Sequence, residues 1–222
     1  MTALNEGNYL NDLLQYELDK MQSREQVTVA QNETLVMGEV VGKVTKSTPT
    51  TGTKADGATG GGNCTAVTAG AKALVGTYTL ECTAVADASA GTGAIFQVKN
   101  PEGVILPPAE ADVAYTNDQL NFTINTAGAA YIVGDIFTVA VAAGSGQIKA
   151  IAFDAVDGTQ DAYGISIDAY GNTTGTEQGV LIVRDAQIVA DYLTWPDGAT
   201  SGEKAAALAQ LYAKGIVTRT EA

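Results

Sequence analysis

Three stretches in the middle of the chain alternate apolar and polar residues one by one. In 77–83 (TYTLECT), Tyr78, Leu80 and Cys82 share one face, and Thr77, Thr79, Glu81 and Thr83 share the other. The same pattern sets Leu120, Phe122 and Ile124 together in 119–125, and Phe137, Val139 and Val141 together in 135–141. A period of two is the signature of a strand with one covered and one wet face. Several such strands, each too narrow to bury its apolar side alone, must pack sheet against sheet. The pattern predicts a mainly β protein with an antiparallel sandwich or barrel in its middle. The stretch 94–106 (AIFQVKNPEGVIL) reads as two more strands joined at Pro101-Glu102-Gly103.

The flanks read differently. In 8–22, Leu10, Leu13, Leu14, Leu18 and Met21 recur at helical spacing, with Asp12, Glu17 and Asp19 off the stripe. The spacing predicts an N-terminal amphipathic helix, which either packs on its own domain or serves as a docking arm. Residues 26–45 read as a hairpin or meander, with Val27 and Val29 in one strand, a turn at Gln31-Asn32, and Val40, Val41 and Val44 in the next. Residues 46–63 are rich in Gly and Thr and read as a linker. No Gly-Lys-Ser/Thr follows Gly60-Gly61-Gly62, so they do not make a phosphate loop.

Strands resume over 144–190. Then comes the only tryptophan, Trp195, followed directly by Pro196, which pushes it into an extended backbone. Thr200 and Glu203 form a capping box. Ala205, Leu208, Leu211 and Tyr212 make the helix stripe, Lys214 closes the last turn, and Gly215 ends it. A short strand, 216–219, follows. Trp195 therefore stands where sheet hands over to helix, where its ring can plug the seam.

Composition excludes several function classes. The chain carries 25 acidic and 12 basic residues, net charge −13, which repels nucleic-acid backbones and anionic membrane surfaces. No basic leader precedes an apolar run at the N-terminus, and no window is long and apolar enough to span a bilayer. Histidine is absent, which removes the usual general base and the commonest metal ligand. Asp154, Asp157 and Asp161 lack the spacing and closing Glu of a calcium loop and read as a solvated turn. No nucleophile elbow or dinucleotide fingerprint is present. The expectation is a non-enzyme with no cofactor and no metal. Cys64 and Cys82 fall opposite each other if 63–68 and 77–83 pair about a turn near Ala73, within disulfide reach. In a reducing cytosol they are two buried thiols; oxidation after release is the alternative.

Four features in order resemble the lambda-type phage head decoration proteins: 149–169 (KAIAFDAVDGTQDAYGISIDA), 179–199 (GVLIVRDAQIVADYLTWPDGA), the helix 201–215, and the closing strand IVTR. The stretch VTVAQNETLVMGEVVGKVT resembles the hairpin that opens many members. The middle segment resembles an insert seen in longer members. The resemblance implies an arm over 1–24, a β-clip-like decoration domain split into 25–52 and 146–222, and an inserted immunoglobulin-like β-sandwich over 53–145. It also implies a homotrimer that binds the major capsid protein at three-fold positions outside the expanded head and holds it against DNA pressure. On this reading the Leu10, Leu13, Leu14, Leu18 and Met21 stripe meets the shell, with packing at the trimer as the alternative. Trp195, Pro196, Leu208 and Leu211 pack near the three-fold or in the domain's own core. The competing function is an outward adhesin that holds host cells or glycans, for which Tyr115 and Tyr131 are the suggestive aromatics.

Overall fold

The structure, a computed structural model, describes residues 9–86, 93–171 and 173–220. In chain order, the first elements are a single helical turn α1 (Leu10–Leu13), strand β1 (Leu14–Glu17), a second turn α2 (Lys20–Ser23), and strands β2 (Arg24–Val29), β3 (Thr34–Leu35) and β4 (Val40–Lys43). The middle supplies β5 (Thr53–Lys54), β6 (Cys64–Ala69), β7 (Gly76–Ala84), β8 (Ile95–Lys99), β9 (Ile105–Glu110), β10 (Ala114–Tyr115), β11 (Leu120–Ile124) and β12 (Ile136–Val141). The return brings β13 (Ile148–Ala150), β14 (Ala162–Ser166), β15 (Tyr170–Gly171), β16 (Glu177–Ile182), β17 (Ala186–Val189), helix α3 (Ser201–Ala213) and β18 (Ile216–Arg219). The chain divides into two compact units. Unit 1 joins residues 1–45 to 146–222, and unit 2 is residues 46–145.

Unit 2 holds two antiparallel sheets, ordered β10-β11-β6 and β5-β12-β7-β8-β9, around one core. The alternating faces meet there: Tyr78, Leu80 and Cys82 share the core with Leu120, Phe122, Ile124, Phe137 and Val139. Phe96 and Tyr131 meet edge to face at 5.2 Å, a geometry favoured by their ring quadrupoles. The linker expected over 46–63 is instead part of this fold. Lys46 bridges Ala143, β5 pairs with β12, and Gly52 bridges Cys64. Gly60 and Gly62 lie against the Tyr131 ring and the Asn125 carbonyl, where a Cβ would come within 2.0 Å and 1.6 Å. Glycine is required there by close packing, not by flexibility.

The expected facing of Cys64 and Cys82 does not form. β6 pairs with β11, so Cys64 lies opposite Ile124, while Cys82 lies opposite Phe96 in the other sheet. The two strands, adjacent in sequence, belong to different sheets: β7 pairs with β8 on one side and β12 on the other, which leaves no edge for β6. Both cysteines are free and buried. Burial pushes the Cys64 thiol up to about 11 and raises that of Cys82 as well. Both thiols are therefore expected to resist a thiol reagent until the protein is denatured. Reductant is expected to leave the melting temperature unchanged; reaction of either thiol under native conditions would contradict the buried placement.

Unit 1 is a closed barrel, β13-β2-β16-β14-β4, with a three-stranded sheet β1-β17-β18 and a short β3–β15 pair beside it. Val27 and Val41 belong to one apolar cluster, and Val40, Ile165, Ile182, Ile188 and Leu211 to another. The expected hairpin is corrected here. β2 and β4 are not paired with each other; β13, which follows unit 2, lies between them, parallel to β2 and antiparallel to β4. Closing a barrel gives every strand two neighbours, and this one closes only when the strand after the middle segment enters the gap.

The C-terminal helix forms with its capping box at Thr200 and Glu203, and Gly215 takes the left-handed conformation (φ +79°) that ends it. Its buried stripe is Ala207 and Leu211 with Leu208 partly covered, while Ala205 and Tyr212 face solvent. Lys214 reaches across from the helix end and donates to the carbonyls of Ala162 and Tyr163 at 2.7 and 2.8 Å, tying α3 to β14.

Candidate functional site

The chain's two ends meet on one sheet. β17 lies in the centre, with β1 antiparallel on one side (Glu17 opposite Ala186) and β18 parallel on the other (Ala186 opposite Ile216). A strand of four residues at each end of the chain is too short to hold itself, so each depends on β17 for its backbone hydrogen bonds. One face of this sheet covers the barrel through Ile188, Ala186 and Ile216, with α3 beside them. The other face carries Tyr16, Gln187, Val217 and Arg219. These line a groove of about 310 Å³ with Leu18 and Asp185 at its end. Tyr16 and Leu18 are more than half exposed, at 57% and 58%.

The continuous helix expected over 8–22 is not formed. Isolated helices of this length are marginal in water, whereas pairing with β17 gives Leu14–Glu17 backbone partners along one side. Glu17 then accepts two hydrogen bonds from the Arg24 guanidinium, at 2.7 and 2.8 Å. Asp19 accepts from the Met21 amide at 2.7 Å and starts the second turn. The predicted stripe is consequently scattered. Leu13 is sealed in the core of unit 1 and Leu14 packs partly against it. Leu10 is half-buried, and Leu18 and Met21 are exposed. Leu13 thus belongs to the fold and has no surface to offer a partner. Residues 1–8 of the expected arm lie outside the described residues.

Trp195 is half-buried and stacks on Phe153, ring centroids 6.3 Å apart and planes 22° from parallel. The residue before it is clamped to the barrel: Thr194 donates to the Gly38 carbonyl at 2.9 Å and accepts from the Val40 amide at 3.2 Å. Pro196 follows in a shallow cleft with Asp154, Asp197 and Glu203. Leu211 is fully buried and Leu208 partly so, both within the core of unit 1. Leu211 therefore packs inside its own unit, leaving Pro196 and the outer edge of Trp195 for any contact beyond it. In the turn before β14, Asp157 accepts from the amide and hydroxyl of Thr159 at 3.0 and 2.6 Å. Burial alone would raise its pKa; the Thr159 bonds outweigh that and hold the carboxyl below its ordinary range. Asp161 accepts from Gln210 at 2.9 Å. These carboxylates are spent on the turn and on docking α3.

A family model described as bacteriophage lambda head decoration protein D matches residues 3–95 and 108–216. The chain belongs to that family. Its place is accordingly on a phage capsid, as a head decoration protein. The match runs through most of unit 2 as well as both parts of unit 1. No curated protein matches the chain. Two crystal forms of FlgL from Xanthomonas campestris match 51% of this chain at 14% identity and TM-score 0.32, and the chain covers 34% and 33% of their length. A likeness at that level carries no argument. No described helix of the decoration protein is long and apolar enough to cross a membrane.

The aromatics suggested for an adhesin are not available in unit 2. Tyr131 and Tyr115 are 1% and 7% exposed, so neither is an aromatic platform for a sugar. Tyr131 donates to the Asn125 carbonyl at 2.7 Å, and Tyr115 stacks on Phe122 at 4.6 Å. The groove residues Tyr16, Val217 and Arg219, by contrast, have no signal in the sequence pattern. Tyr16 lies off the helical stripe and becomes visible only if Leu14–Glu17 is read as a strand.

Proposed function

We propose that this decoration protein acts as a homotrimer that binds the outer surface of the expanded head at three-fold positions and holds the shell against the pressure of packaged DNA. The observation that supports it most is the sheet β1-β17-β18. It places the N-terminal strand β1 and the C-terminal strand β18 on either side of β17, in one sheet of unit 1. A trimer presents that sheet three times to a repeating shell, so contacts that are weak singly add up once the first is made. Unit 1 holds 17 of the 25 acidic residues and 8 of the 12 basic ones, which argues against a nucleic-acid or anionic-membrane partner. On this reading the role is structural, and the Asp157 and Asp161 carboxylates serve it by holding the turn and docking α3.

The solution mass is expected at three times 22.7 kDa. Expanded heads carrying the protein are expected to release their DNA at a higher temperature than undecorated heads. A monomeric mass would remove the trimer, and equal release temperatures would remove the cementing role.

A further inference from the structure

We infer that the free edge of β18 is a docking strand, and that it takes an extended segment of the shell subunit as a fourth strand of the sheet β1-β17-β18. The inference rests on the proposed capsid-binding role and names where on unit 1 that contact is made.

A sheet edge with unpaired amides and carbonyls is a template for another strand, and folded proteins blunt such edges. The edges of unit 2 are blunted. β9 carries Pro107 and Pro108, β6 is bent by Ala66 in the left-handed conformation, and β5 and β10 have two residues each. The unit 1 barrel has no edge because it is closed. At the other side of the three-stranded sheet, β1 is irregular between Leu14 and Tyr16. β18 has none of these devices. It is regular along its length, holds no proline, and among the described residues no strand pairs with its outer side.

The register shows which groups are open. The Ala186 amide donates to the Gly215 carbonyl at 3.2 Å, and the parallel ladder runs from Ala186 opposite Ile216 to Val189 opposite Arg219. In that ladder the amide of Val217 serves β17 and the backbone groups of Ile216 and Thr218 point to the other side; Ile216 is covered there, at 1% exposed, which leaves the amide and carbonyl of Thr218 as the open position. The groove formed by Tyr16, Leu18 and Val217 adjoins this edge, with Asp185 and Arg219 at its rim. An added strand would satisfy the open groups and lay alternate side chains over that apolar surface.

Charge selects the occupant. Each copy carries a net −13, most of it on unit 1, so edge-to-edge pairing of two copies brings like charges together. A neutral or basic strand of a different protein meets no such repulsion. On a decorated head that protein is the shell subunit.

Thr218→Pro tests this directly. It deletes an outward amide without cutting a hydrogen bond to β17, at an edge position where proline is tolerated. Thr218→Ala, which keeps the amide, is the control. Binding to expanded, undecorated heads is expected to weaken about tenfold or more for Thr218→Pro, the upper range for one lost hydrogen bond, and to stay near wild type for Thr218→Ala. Hydrogen exchange at Thr218 in the wild-type protein is the second readout, independent of any variant. Slow exchange that appears only on heads supports the inference. Fast exchange on heads, or equal binding by a folded Thr218→Pro, overturns it while leaving head binding intact. Slow exchange already present in the free protein, and rising with its concentration, assigns the edge to a second copy and also overturns it. Failure of the wild-type protein to bind heads removes the capsid reading itself.

Discussion

Leu13→Ala is expected to destabilise unit 1 by about 2–5 kcal/mol, whereas Leu18→Ala changes it by about 0.5 kcal/mol or less. The two leucines are five residues apart on what reads as one stripe, yet Leu13 is 1% exposed and Leu18 is 58% exposed. Leu13 packs in the cluster that includes Val40, Ile165, Ile188 and Leu211, so truncating it leaves a cavity between elements from both ends of the chain. The measurement is a urea melt followed by tryptophan fluorescence. Trp195 is the single tryptophan and lies in unit 1, so the signal reports that unit alone. Equal midpoints for the two variants would mean that the N-terminal segment is not docked as described. Head binding separates the roles further: Leu18→Ala, at the groove end, is expected to weaken it at unchanged stability.

The second large effect is at Asp135 in unit 2, which is 2% exposed. Its carboxylate accepts from the amides of Thr59, Gly60 and Ile132 at 2.8, 3.0 and 3.0 Å. It thereby ties the loop 55–62 to the turn before β12. Asp135→Ala strands three amide donors, and at about 1–3 kcal/mol for each one left unsatisfied the expected loss is about 3 kcal/mol or more. Burial by itself would raise the pKa of this group; the bonds from Ile132, Thr59 and Gly60 together outweigh burial and hold it below the ordinary 3.8. A depressed carboxylate contributes its stability in full above its unfolded pKa and loses it as pH falls through the folded value. The gap between wild type and Asp135→Ala is therefore expected to be constant near neutrality and to shrink below about pH 4. Both cysteines lie in unit 2, so the rate at which a thiol reagent reaches them follows the opening of that unit. A gap that widened on acidification would contradict the clamp.

Local chemistry was enough for much of this molecule. The period-two faces of β7, β11 and β12, the hairpin turn at Pro101-Glu102-Gly103, the capping box at Thr200 and the stop at Gly215 all depend on residues within a few positions of one another. So does the recognisable order of short motifs around Trp195 that marks the family. Such features are legible because alternation, capping and left-handed turns are properties of a short segment wherever it is placed.

Partner choice was not legible. Residues 8–22 have the spacing of a helix and became two turns and a strand, because β17, far away in sequence, offers hydrogen bonds that a short helix in water cannot match. Residues 27–29 and 40–44 look like a hairpin, but β13 enters between their strands. Cys64 and Cys82 look like neighbours, but their strands joined different sheets. The sequence by itself determined which of the alternating segments are strands, where the one long helix begins and ends, and which family the chain belongs to. The tertiary structure alone decided which strands are neighbours, which leucines are core, and which edge stays open. Pairing energy comes from contacts between distant segments competing for the same partner, and no local pattern records the outcome of that competition.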